Sequence, residues 1–588
     1  MEQRNLFYMM IAFVVIWIAF QQFYEAPRLR QQQAQQQAAQ QLAAQQAALA
    51  PSGASTHTGA PTDAGPAKPL DREAALALSP RLPIASPRLR GSIALKGGRV
   101  DDLILAEFRK TVDPKSPNIE LLSPAGTADA YFVEFGWLAK DPAVKVPDKD
   151  TVWQADGPSL VPGKPLTLSW NNGAGLTFNL VYALDENYMF SVERKVVNGG
   201  AAAVEISPYS RTHRSGTPKT SGFYVLHEGP IGVLAGRLVD NLSYADIVKA
   251  EGGRIAYDTT GGWIGFTDKY WLVTLIPDQT IAQVGAFEHT LDNKVDQYQA
   301  SLVGPYAPVA PGATLSYASH AFAGPKEVTL LARYRDELGI PKFDLAVDFG
   351  YLWFLTKPIF FVLDFLYGVV GNFGVAIMLL TVAIKLIFLP LANRSYRAMS
   401  KMKALAPEMT KLRERFKDDK AKLNQEMMTL YKREKVNPAA GCLPIVVQIP
   451  VFFSLYKVLV VTIEMRQAPF FGWIRDLSVP DPTSIINLFG LAPWGIPDFA
   501  MIPVIGCFLH MISIGVWPII MGITMFLQQK LNPAPPDPVQ ARIFMLLPIV
   551  FTFMLGQFAA GLVIYWAWNN LLSIAQQRFI MWRMGVKA

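Results

Sequence analysis

Cysteine and histidine are scarce in this chain of 588 residues, which has two cysteines and six histidines. Both cysteines, Cys442 and Cys507, lie in the C-terminal part, so the N-terminal part cannot be a scaffold held together by disulfides. The histidines show no metal-ligand spacing, and the C-x-x-C, H-E-x-x-H and P-loop patterns are missing. The sequence therefore predicts no metal site and no bound cofactor.

Charged side chains are also few, at 17% of the chain, whereas apolar ones make up 51%. This balance is typical of a protein that is partly embedded in a membrane, and it disfavours a purely soluble enzyme. The net charge of +7 is unevenly placed. Thirteen basic and six acidic residues between Ala392 and Lys435 supply an excess equal to that of the whole chain.

The N-terminal residues 1–24 contain an apolar run, from Leu6 to Phe20, that is long enough for the core of a signal peptide. No small-x-small cleavage site follows this run, which favours an uncleaved signal-anchor span with its N-terminus in the cytoplasm over a cleaved signal. Residues 25–84 include a stretch rich in glutamine and alanine that cannot bury a core, so we expect a low-complexity tether.

Short alternating runs with turn residues fill residues 85–340 and predict a large all-β sandwich. The stretch "LTLSWNNGAGLTFNLVYAL" predicts two strands around an Asn-Asn-Gly turn. The stretch "YMFSVERKVVNGGAAAVEI" predicts a second hairpin, around Asn-Gly-Gly. Because this domain follows a signal anchor, we expect it on the periplasmic side of a bacterial inner membrane.

The C-terminal part predicts five further spans, which gives a membrane α-helical bundle of six spans with the anchor included. Residues 341–372 mix aromatic side chains with Asp and Lys, which favours an interfacial amphipathic helix. The predicted segments after it are a second span at 373–391, a cytoplasmic helical hairpin at 392–440, a third span at 441–463, a periplasmic loop at 464–511, a fourth span at 512–530, a cytoplasmic loop at 531–541, the fifth and sixth spans at 542–577 and a cytoplasmic tail at 578–588.

Lysine and arginine counts set the predicted orientation, with both termini in the cytoplasm. The basic segment 392–435 belongs inside, whereas Arg466 and Arg475 are the only basic side chains between Glu464 and Met511. A separate span at 499–513 would put the basic tail outside, so we predict an outer-face or re-entrant insertion at 485–513. We expect the last two spans to have 16 residues each. As helices they would be about 24 Å long, short enough to thin the bilayer.

Lys385 lies inside the second predicted span, where a charge usually marks a function or a water-filled cavity. It lies ~9 Å from the cytoplasmic end of the span, so it could extend to the surface or line a hydrated groove. Thr381 is one turn away on the same face. Amides lie in the inner-leaflet parts of three other spans, at Gln448, Gln528, Gln529 and Asn570. These amides could line the groove with Lys385 or join helices.

Two other features of the membrane part carry predictions. Lys457, near the outer end of the third span, is expected to extend outward to the surface. The cytoplasmic hairpin is either a solvated charged element lying against anionic lipid or a docking surface, since methionine suits varied apolar partners. The residues of this predicted docking surface are Met399, Met402, Met409, Arg413, Met427 and Met428.

Several longer motifs occur in the same order as in one known family. They include "LAVDFGYLWFLTKPIF", "EMMTLYKREKVNPAAGCLPIVVQIPVFFSLYKVL", "PIIMGITMFLQQKLNP" and "GLVIYWAWNNLLSIAQQ". With these motifs the chain resembles the YidC family of bacterial inner-membrane protein insertases over nearly its whole length. The resemblance implies an insertase and chaperone, not an enzyme. It would release nascent membrane proteins into the lipid bilayer, alone or with the Sec translocon, without a cofactor or specificity for nucleic acid.

The resemblance also implies roles for particular residues. Lys385 occupies the place of a groove residue that is usually arginine in the family. Residues at matching positions line the groove or touch substrate, and these are Thr381, Gln448, Gln529, Tyr565 and Trp566. The cytoplasmic hairpin is where the family meets substrate and the targeting machinery, so the ribosome or signal recognition machinery are expected partners. The periplasmic domain resembles a mutarotase-type supersandwich without catalysis.

Two other classes of protein are weaker alternatives. A membrane-tethered carbohydrate-binding or mutarotase-like protein would need a His/Glu acid–base pair in a cleft. The candidates for such a pair are His213, His227, His289, Glu228 and Glu288. A small-solute transporter would show internal repeats, and the sequence shows no such symmetry.

Overall fold

The computed structural model describes residues 60–61, 69–220, 226–416, 419–436, 443–491, 513–532 and 538–583. The predicted signal anchor at 1–24 lies outside the described residues, as does most of the tether. The same holds for the centre of the insertion at 485–513 and for most of the tail at 578–588.

Two antiparallel sheets form the N-terminal domain. Their strands, in chain order, are β1 Arg81–Ala85, β2 Leu89–Ala94, β3 Arg99–Arg109, β4 Asn118–Leu122, β5 Tyr131–Ala139, β6 Gln154–Ala155, β7 Leu166–Asn171, β8 Leu176–Leu184, β9 Met189–Asn198, β10 Val204–Ser215, β11 Gly229–Leu234, β12 Arg237–Val239, β13 Arg254–Thr260, β14 Trp263–Thr267, β15 Trp271–Pro277, β16 Ala282–Asp292, β17 Val295–Val303, β18 Ala307–Val309 and β19 Thr314–Pro325. One sheet runs β1-β2-β3-β5-β10-β17-β16-β13, with β4 on β3 and β18 on β10; the other runs β12-β11-β14-β15-β19-β9-β8-β7-β6. The predicted large sandwich is confirmed.

The two predicted hairpins have different outcomes. Strands β7 and β8 pair around the Asn-Asn-Gly turn, with Leu166 opposite Tyr182. The second hairpin is wrong, because β9 pairs with β8 and β19 whereas β10 pairs with β5, β17 and β18. The Asn-Gly-Gly segment therefore carries the chain from one sheet to the other. Alternation along a strand shows which side chains face the core and does not show which sheet the strand joins.

Twelve α-helices lie within the described residues. In chain order they are α1 Arg72–Ala77, α2 Tyr244–Lys249, α3 Val328–Glu337, α4 Trp353–Val370, α5 Phe373–Ile387, α6 Leu389–Ala404, α7 Ala406–Arg415, α8 Lys420–Arg433, α9 Leu443–Val461, α10 Val516–Leu531, α11 Pro538–Leu555 and α12 Ala560–Arg583. Helices α4, α5, α9, α10, α11 and α12 pack together as a helical core. The predicted combination of a sandwich domain and a helical bundle is thus present.

The boundary between α4 and α5 follows from two residues. Gly371 ends α4 in the left-handed conformation, with φ 67°, which glycine adopts without strain. Asn372 then caps α5 by accepting a hydrogen bond from the Val375 amide at 3.1 Å. Helix α5 accordingly begins at Phe373, where the second predicted span begins.

The second predicted span is not one straight helix to Leu391. Helix α5 ends at Ile387, and α6 leaves at an angle of 71°. Pro390 lies in the first turn of α6, where its missing N–H costs nothing, whereas the α5 helix could not have continued through it unbroken. By length and composition, α4 could cross a bilayer alone, and α5 with α6 passes the same test as a bent pair. The six spans and the interfacial placement of 341–372 stay predictions.

The last two helices are longer than predicted. They form a hairpin with its break at 556–559, within the "GQFAAG" motif, but α11 has 18 residues and α12 has 24. At 1.5 Å per residue these lengths are about 27 Å and 36 Å, so the expectation of two 24 Å helices is wrong. The length of an apolar run predicts the apolar part of a helix and not where the helix ends. Helix α12 continues beyond its apolar run, through polar residues, to Arg583.

The two ends of the insertion at 485–513 lie together. The Ile485 amide donates to the Ile514 carbonyl at 3.0 Å, and the Ser484 and Ser513 hydroxyls are 2.7 Å apart. The Thr483 hydroxyl also accepts from the Val516 amide at the start of α10, at 3.0 Å. The chain therefore enters and leaves this insertion on the same side of the helical core.

The sandwich domain and the helical core touch through polar contacts. The Lys457 ammonium donates to Asp348 at 2.7 Å and the residue is only 9% exposed, so the expectation that Lys457 extends to the surface is wrong. Glu464, just after α9, accepts from the Val328 amide at the start of α3 at 3.0 Å. Arg466 donates to the Arg109 carbonyl at 2.6 Å. These contacts fix the sandwich against the outer end of α9.

Candidate functional site

Lys385 and Ser573 form the centre of the candidate groove. Lys385 lies in the last turn of α5 and is half-buried, and its ammonium donates to the Ser573 hydroxyl of α12 at 2.5 Å. Ser573 is 2% exposed and in turn donates to the Asn569 carbonyl at 2.8 Å. Among the described residues, no carboxylate lies within 4.0 Å of the Lys385 ammonium. A hydroxyl therefore solvates the Lys385 ammonium, and no carboxylate in the described part of the chain pairs with it.

A second polar contact joins α9 to α12 beside aromatic rings. The Gln448 amide donates to the Tyr565 hydroxyl, and Tyr565 is 2% exposed. The neighbouring Trp566 ring lies 4.6 Å from the ring of Phe452, centre to centre. These contacts place Gln448 and Phe452 of α9 beside Tyr565 and Trp566 of α12. Polar and aromatic surfaces thus meet on one side of α12.

Asn570 extends the polar stripe of α12 toward α10. Its amide donates to the Thr524 hydroxyl at 3.3 Å, and both side chains are buried. Ser573 follows Asn570 by three residues, and Gln577 follows Ser573 by four. Sequence reasoning missed Ser573, Thr524 and Gln577, although the i, i+3 and i+4 spacing of Asn570, Ser573 and Gln577 indicated a polar stripe.

Thr381 and Gln529 have hydrogen bonds of another kind. Thr381 is 1% exposed and donates to the Ile377 carbonyl of its own helix at 2.7 Å. Gln529 donates to the Phe544 carbonyl of α11. That carbonyl lacks its usual helical partner because the residue four positions later is Pro548, which has no N–H. Gln529 therefore completes the backbone of α11 and joins two helices, which is a structural task.

The predicted docking methionines are mostly packed inside the protein. Met409 and Met427 are buried with Leu430 and Tyr431 in a small core between α7 and α8, and Met402 packs against it half-buried. Met399 packs with Tyr396 and Ile580 of α12. Arg413 is half-buried, and Met428 is 44% exposed. Of the predicted docking methionines, Met428 is the one with a largely exposed side chain.

The histidines proposed for an acid–base pair each have another partner. His213 shares a hydrogen bond with Gln297 at 3.0 Å, and His227 bonds the Pro230 carbonyl at 2.8 Å. His289 lies 2.9 Å from Asp296. The two glutamates are engaged as well, with Arg254 donating to Glu288 at 2.9 Å and the Lys269 amide donating to Glu228 at 3.1 Å. No His/Glu pair forms in the part of the sandwich that the structure describes.

Comparison with protein families divides the chain within α4, the first helix of the helical core. The family described as "YidC periplasmic domain" matches residues 81–362, and the family described as "60Kd inner membrane protein" matches residues 365–587. The two matches define a bacterial inner-membrane protein with a periplasmic sandwich domain.

Relatives at high identity identify the family. The "Membrane protein insertase YidC" of Methylobacterium radiotolerans is 51% identical over 100% of this chain and 96% of its own length. That of Methylobacterium nodulans is 54% identical over 89% of this chain and 85% of its own length, and that of Bradyrhizobium diazoefficiens is 48% identical over 100% and 97%. The chain belongs to the YidC family of membrane protein insertases, which are not enzymes.

The chain is also similar to solved structures. The chain is similar to the "Active YidC insertase crystal structure with the first transmembrane domain resolved", with 17% identity, a TM-score of 0.35, and coverage of 84% of this chain and 91% of that one. It is similar to a galactose mutarotase related enzyme from Lactobacillus acidophilus with 9% identity, a TM-score of 0.29, and coverage of 42% and 97%.

Proposed function

We propose that this chain inserts nascent membrane proteins into the bacterial inner membrane through the groove centred on Lys385. The observation that carries this proposal is the half-buried Lys385 ammonium, which is held by the Ser573 hydroxyl and has no carboxylate of a described residue within 4.0 Å. The chain would be a multi-pass protein with both termini in the cytoplasm and the sandwich in the periplasm. That orientation is supported by the basic segment 392–435.

The proposed mechanism is electrostatic and involves no bond-breaking step. The unneutralised lysine attracts acidic residues in the part of a substrate that must cross to the outside. At 4 Å such an attraction is about 1 kcal/mol in water and about 4 kcal/mol at a partly buried site. The polar stripe of Asn570, Ser573 and Gln577 is at most 3% exposed and lies behind the groove, where Ser573 holds the Lys385 ammonium in place.

The exit of the substrate's apolar segment uses the aromatic side of α12. Trp566 is partly exposed and lies among the rings of Phe452 and Phe551, with centre distances of 4.6 Å and 6.4 Å. An apolar helix can slide along these rings into lipid because they offer contact area without hydrogen-bond demands. The polar end of the substrate would stay near Lys385 until that helix has left.

Further partners belong to the proposal as well. The cytoplasmic hairpin has a basic, largely exposed face, which supports contact with the ribosome, the signal recognition machinery or anionic lipid. Cooperation with the Sec translocon is proposed only because the chain belongs to the YidC family.

Two matched substrates test the groove. Each would carry one apolar span and a short translocated tail, with two aspartates in one tail and two asparagines in the other. Lys385→Ala should lower insertion of the aspartate substrate at least about fivefold and change the asparagine substrate little, because about 1 kcal/mol of attraction is lost. Insertion would be measured by protease protection in inner-membrane vesicles.

Two further variants serve as controls. Lys385→Arg should insert both substrates normally, since charge and reach are kept, and Lys385→Glu should be the worst variant because it repels the acidic tail. If the alanine variant inserts both substrates as well as the wild type does, Lys385 has no role in charge attraction and only anchors α5 at the membrane surface.

A further inference from the structure

The face of the ten-stranded sheet that points away from the sandwich core is polar and buried. Val133, Phe135 and Trp137 of β5 face the core, so the alternate residues of β5 and their partners on β10 and β17 face the other side. Six side chains on this second face are each at most 6% exposed, namely Glu134, Tyr209, Arg211, His213, Gln297 and Gln299. A polar sheet face with so little exposure must be covered.

Glu134 holds this polar face together. Its carboxylate accepts from Arg99 at 2.5 Å, from Arg211 at 2.9 Å and from the Tyr209 hydroxyl at 2.6 Å. Although burial opposes the charge, Arg211 and Arg99 hold the pKa of the Glu134 carboxyl at about 2. The network thus fixes the Arg211 guanidinium, whose Nη1 donates to the side-chain oxygen of Gln299 at 3.1 Å and also reaches a backbone acceptor.

That acceptor comes from the tether. Arg211 Nη1 donates to the backbone carbonyl of Pro61, 150 positions earlier in the chain. The preceding residue, Ala60, is 5% exposed and packs with Tyr209 and Val303, with Leu138 at the edge of the cluster. Two residues of a segment too polar to form a core of its own are therefore seated on the centre of the sheet.

We propose that this sheet face is a binding site for an extended polypeptide segment, and that its resident occupant is the chain's own tether at Ala60 and Pro61. Three properties fit this occupant. The residue before a proline is restricted to extended conformations, so the segment is already shaped for the site. A side chain as small as alanine fits against the Tyr209 ring, and the carbonyl meets a fixed cationic donor.

The tether and the sheet belong to the same chain, which explains how a contact of only two tether residues, Ala60 and Pro61, can stay occupied. A flexible linker presents its segment to a site on the same chain at a millimolar effective concentration, so weak binding suffices. The structure also fixes the chain nearby, since the Leu70 amide donates to the Gly126 carbonyl at 2.9 Å. Docking of the tether does not depend on the groove at Lys385, so it can fail without affecting the insertase proposal.

Cysteine cross-linking in the full-length protein tests the docking. With Cys442 and Cys507 replaced by serine, Ala60→Cys would be combined with Leu138→Cys, and the control would combine Ala48→Cys with Leu138→Cys. Under mild oxidation in membrane vesicles, the 60–138 disulfide should form at least about tenfold faster than the 48–138 disulfide, as a seated segment requires. Equal rates would show a freely moving tether and overturn the proposal.

Peptide binding gives a second measurement. A labelled peptide with the sequence of residues 55–66, "STHTGAPTDAGP", would be added to the wild type and to the full-length Ala60→Arg variant, whose own segment no longer fits. The variant should bind the peptide at least about tenfold more tightly, because the site is vacant and intact. A peptide with arginine in place of its alanine-60 equivalent should not bind. Equal binding of the first peptide by both proteins, or binding by neither, would overturn the proposal.

Discussion

At the scale of a single residue, Glu464 shows how one carboxyl group joins the two parts of the molecule. One oxygen accepts from the Val328 amide, whereas the other, Oε2, is enclosed and has no hydrogen-bond partner among the described residues. The residue as a whole is only half-buried, but its carboxyl tip is shut away from water. This burial raises the pKa of Glu464 to about 7, with Glu327 and Asp364 acting in the same direction.

The sign of the resulting pH dependence follows from proton binding. Between pH 4.5 and 7 the folded protein holds a proton on Glu464 that the unfolded chain releases, so folding stability falls as the pH rises through this window. The loss is at most about 3 kcal/mol, from 1.4 kcal/mol per unit of pKa. We expect the unfolding temperature of the full-length protein in detergent to drop between pH 5 and pH 8.

A matched pair of variants isolates this effect. Glu464→Gln keeps the acceptor for Val328 and removes the titration, so its unfolding temperature should vary less between pH 5 and pH 8 than that of the wild type. Glu73→Gln, at an exposed position, should leave the wild-type dependence unchanged. A Glu464→Gln variant with the full wild-type pH dependence would assign the effect to other groups.

Lys385 could be predicted from the sequence because a charge within an apolar run is visible locally. Its partner Ser573 could not, because serine is ordinary in helices and lies 188 positions away. The same reason hides Asp348, the partner of Lys457, at a separation of 109 positions. Gln529 is a groove residue by prediction, on its polarity and on the resemblance. Its amide donates to the Phe544 carbonyl, which has no helical donor because Pro548 lacks an N–H.

At the scale of elements, the hairpin of α7 and α8 is a separate unit with its own small core. The preceding helix α6 packs on α12 through Met399 and Ile580, and it also touches the hairpin core through Met402. A deletion can therefore remove residues 406–433 and spare α6. If the hairpin receives substrate or targeting partners, this variant should lose at least about fivefold in insertion, which corresponds to about 1 kcal/mol of coupling. Vesicle insertion assays would measure the loss.

Thermal unfolding and one point variant complete that test. The deletion should leave the unfolding temperature of the helical core within a few degrees of the wild type. Met428→Ser, at the exposed methionine, should show part of the same insertion defect if apolar docking is involved. Normal insertion by the deletion variant would leave the hairpin as a charged element lying against lipid.

The elements themselves were predictable where the determinants are local. The β7–β8 hairpin and the break in "GQFAAG" both follow from turn residues next to the elements they separate. The crossing from β9 to β10 depends on packing far along the chain, whereas the bend after Ile387 follows from the nearby Pro390, and the true end of α12 lies beyond its apolar run. Local pattern therefore located the elements, and tertiary contacts decided their partners and lengths.

At the scale of the whole molecule, the sandwich contacts the helical core at its outer end. The segment after β19 makes much of this contact, through Val328 with Glu464 and Asp348 with Lys457. The strands contribute Arg109, whose carbonyl accepts from Arg466. The sandwich could therefore be removed without exposing the groove around Lys385, provided that residues 326–350 remain.

We expect a variant lacking residues 81–320 to insert substrates to within about threefold of the wild type, a change of less than about 1 kcal/mol. The physical reason is that no described groove residue belongs to the sandwich. Insertion into vesicles, normalised to the amount of stable protein in the membrane, would measure this. Complete loss of insertion by a stable variant would give the sandwich a direct part in the reaction.

The paired ends of the insertion at 485–513 have a consequence for how the family can diversify. Because the Ser484 and Ser513 hydroxyls are 2.7 Å apart, the insertion is an excursion that leaves the described helices and returns to them at one place. Each doubling of such an excursion costs only about 0.6 kcal/mol in chain entropy. Selection can therefore lengthen, shorten or recruit this segment without re-optimising the helices on either side. Lineages can acquire new outer surfaces here while the inherited machinery stays as it was.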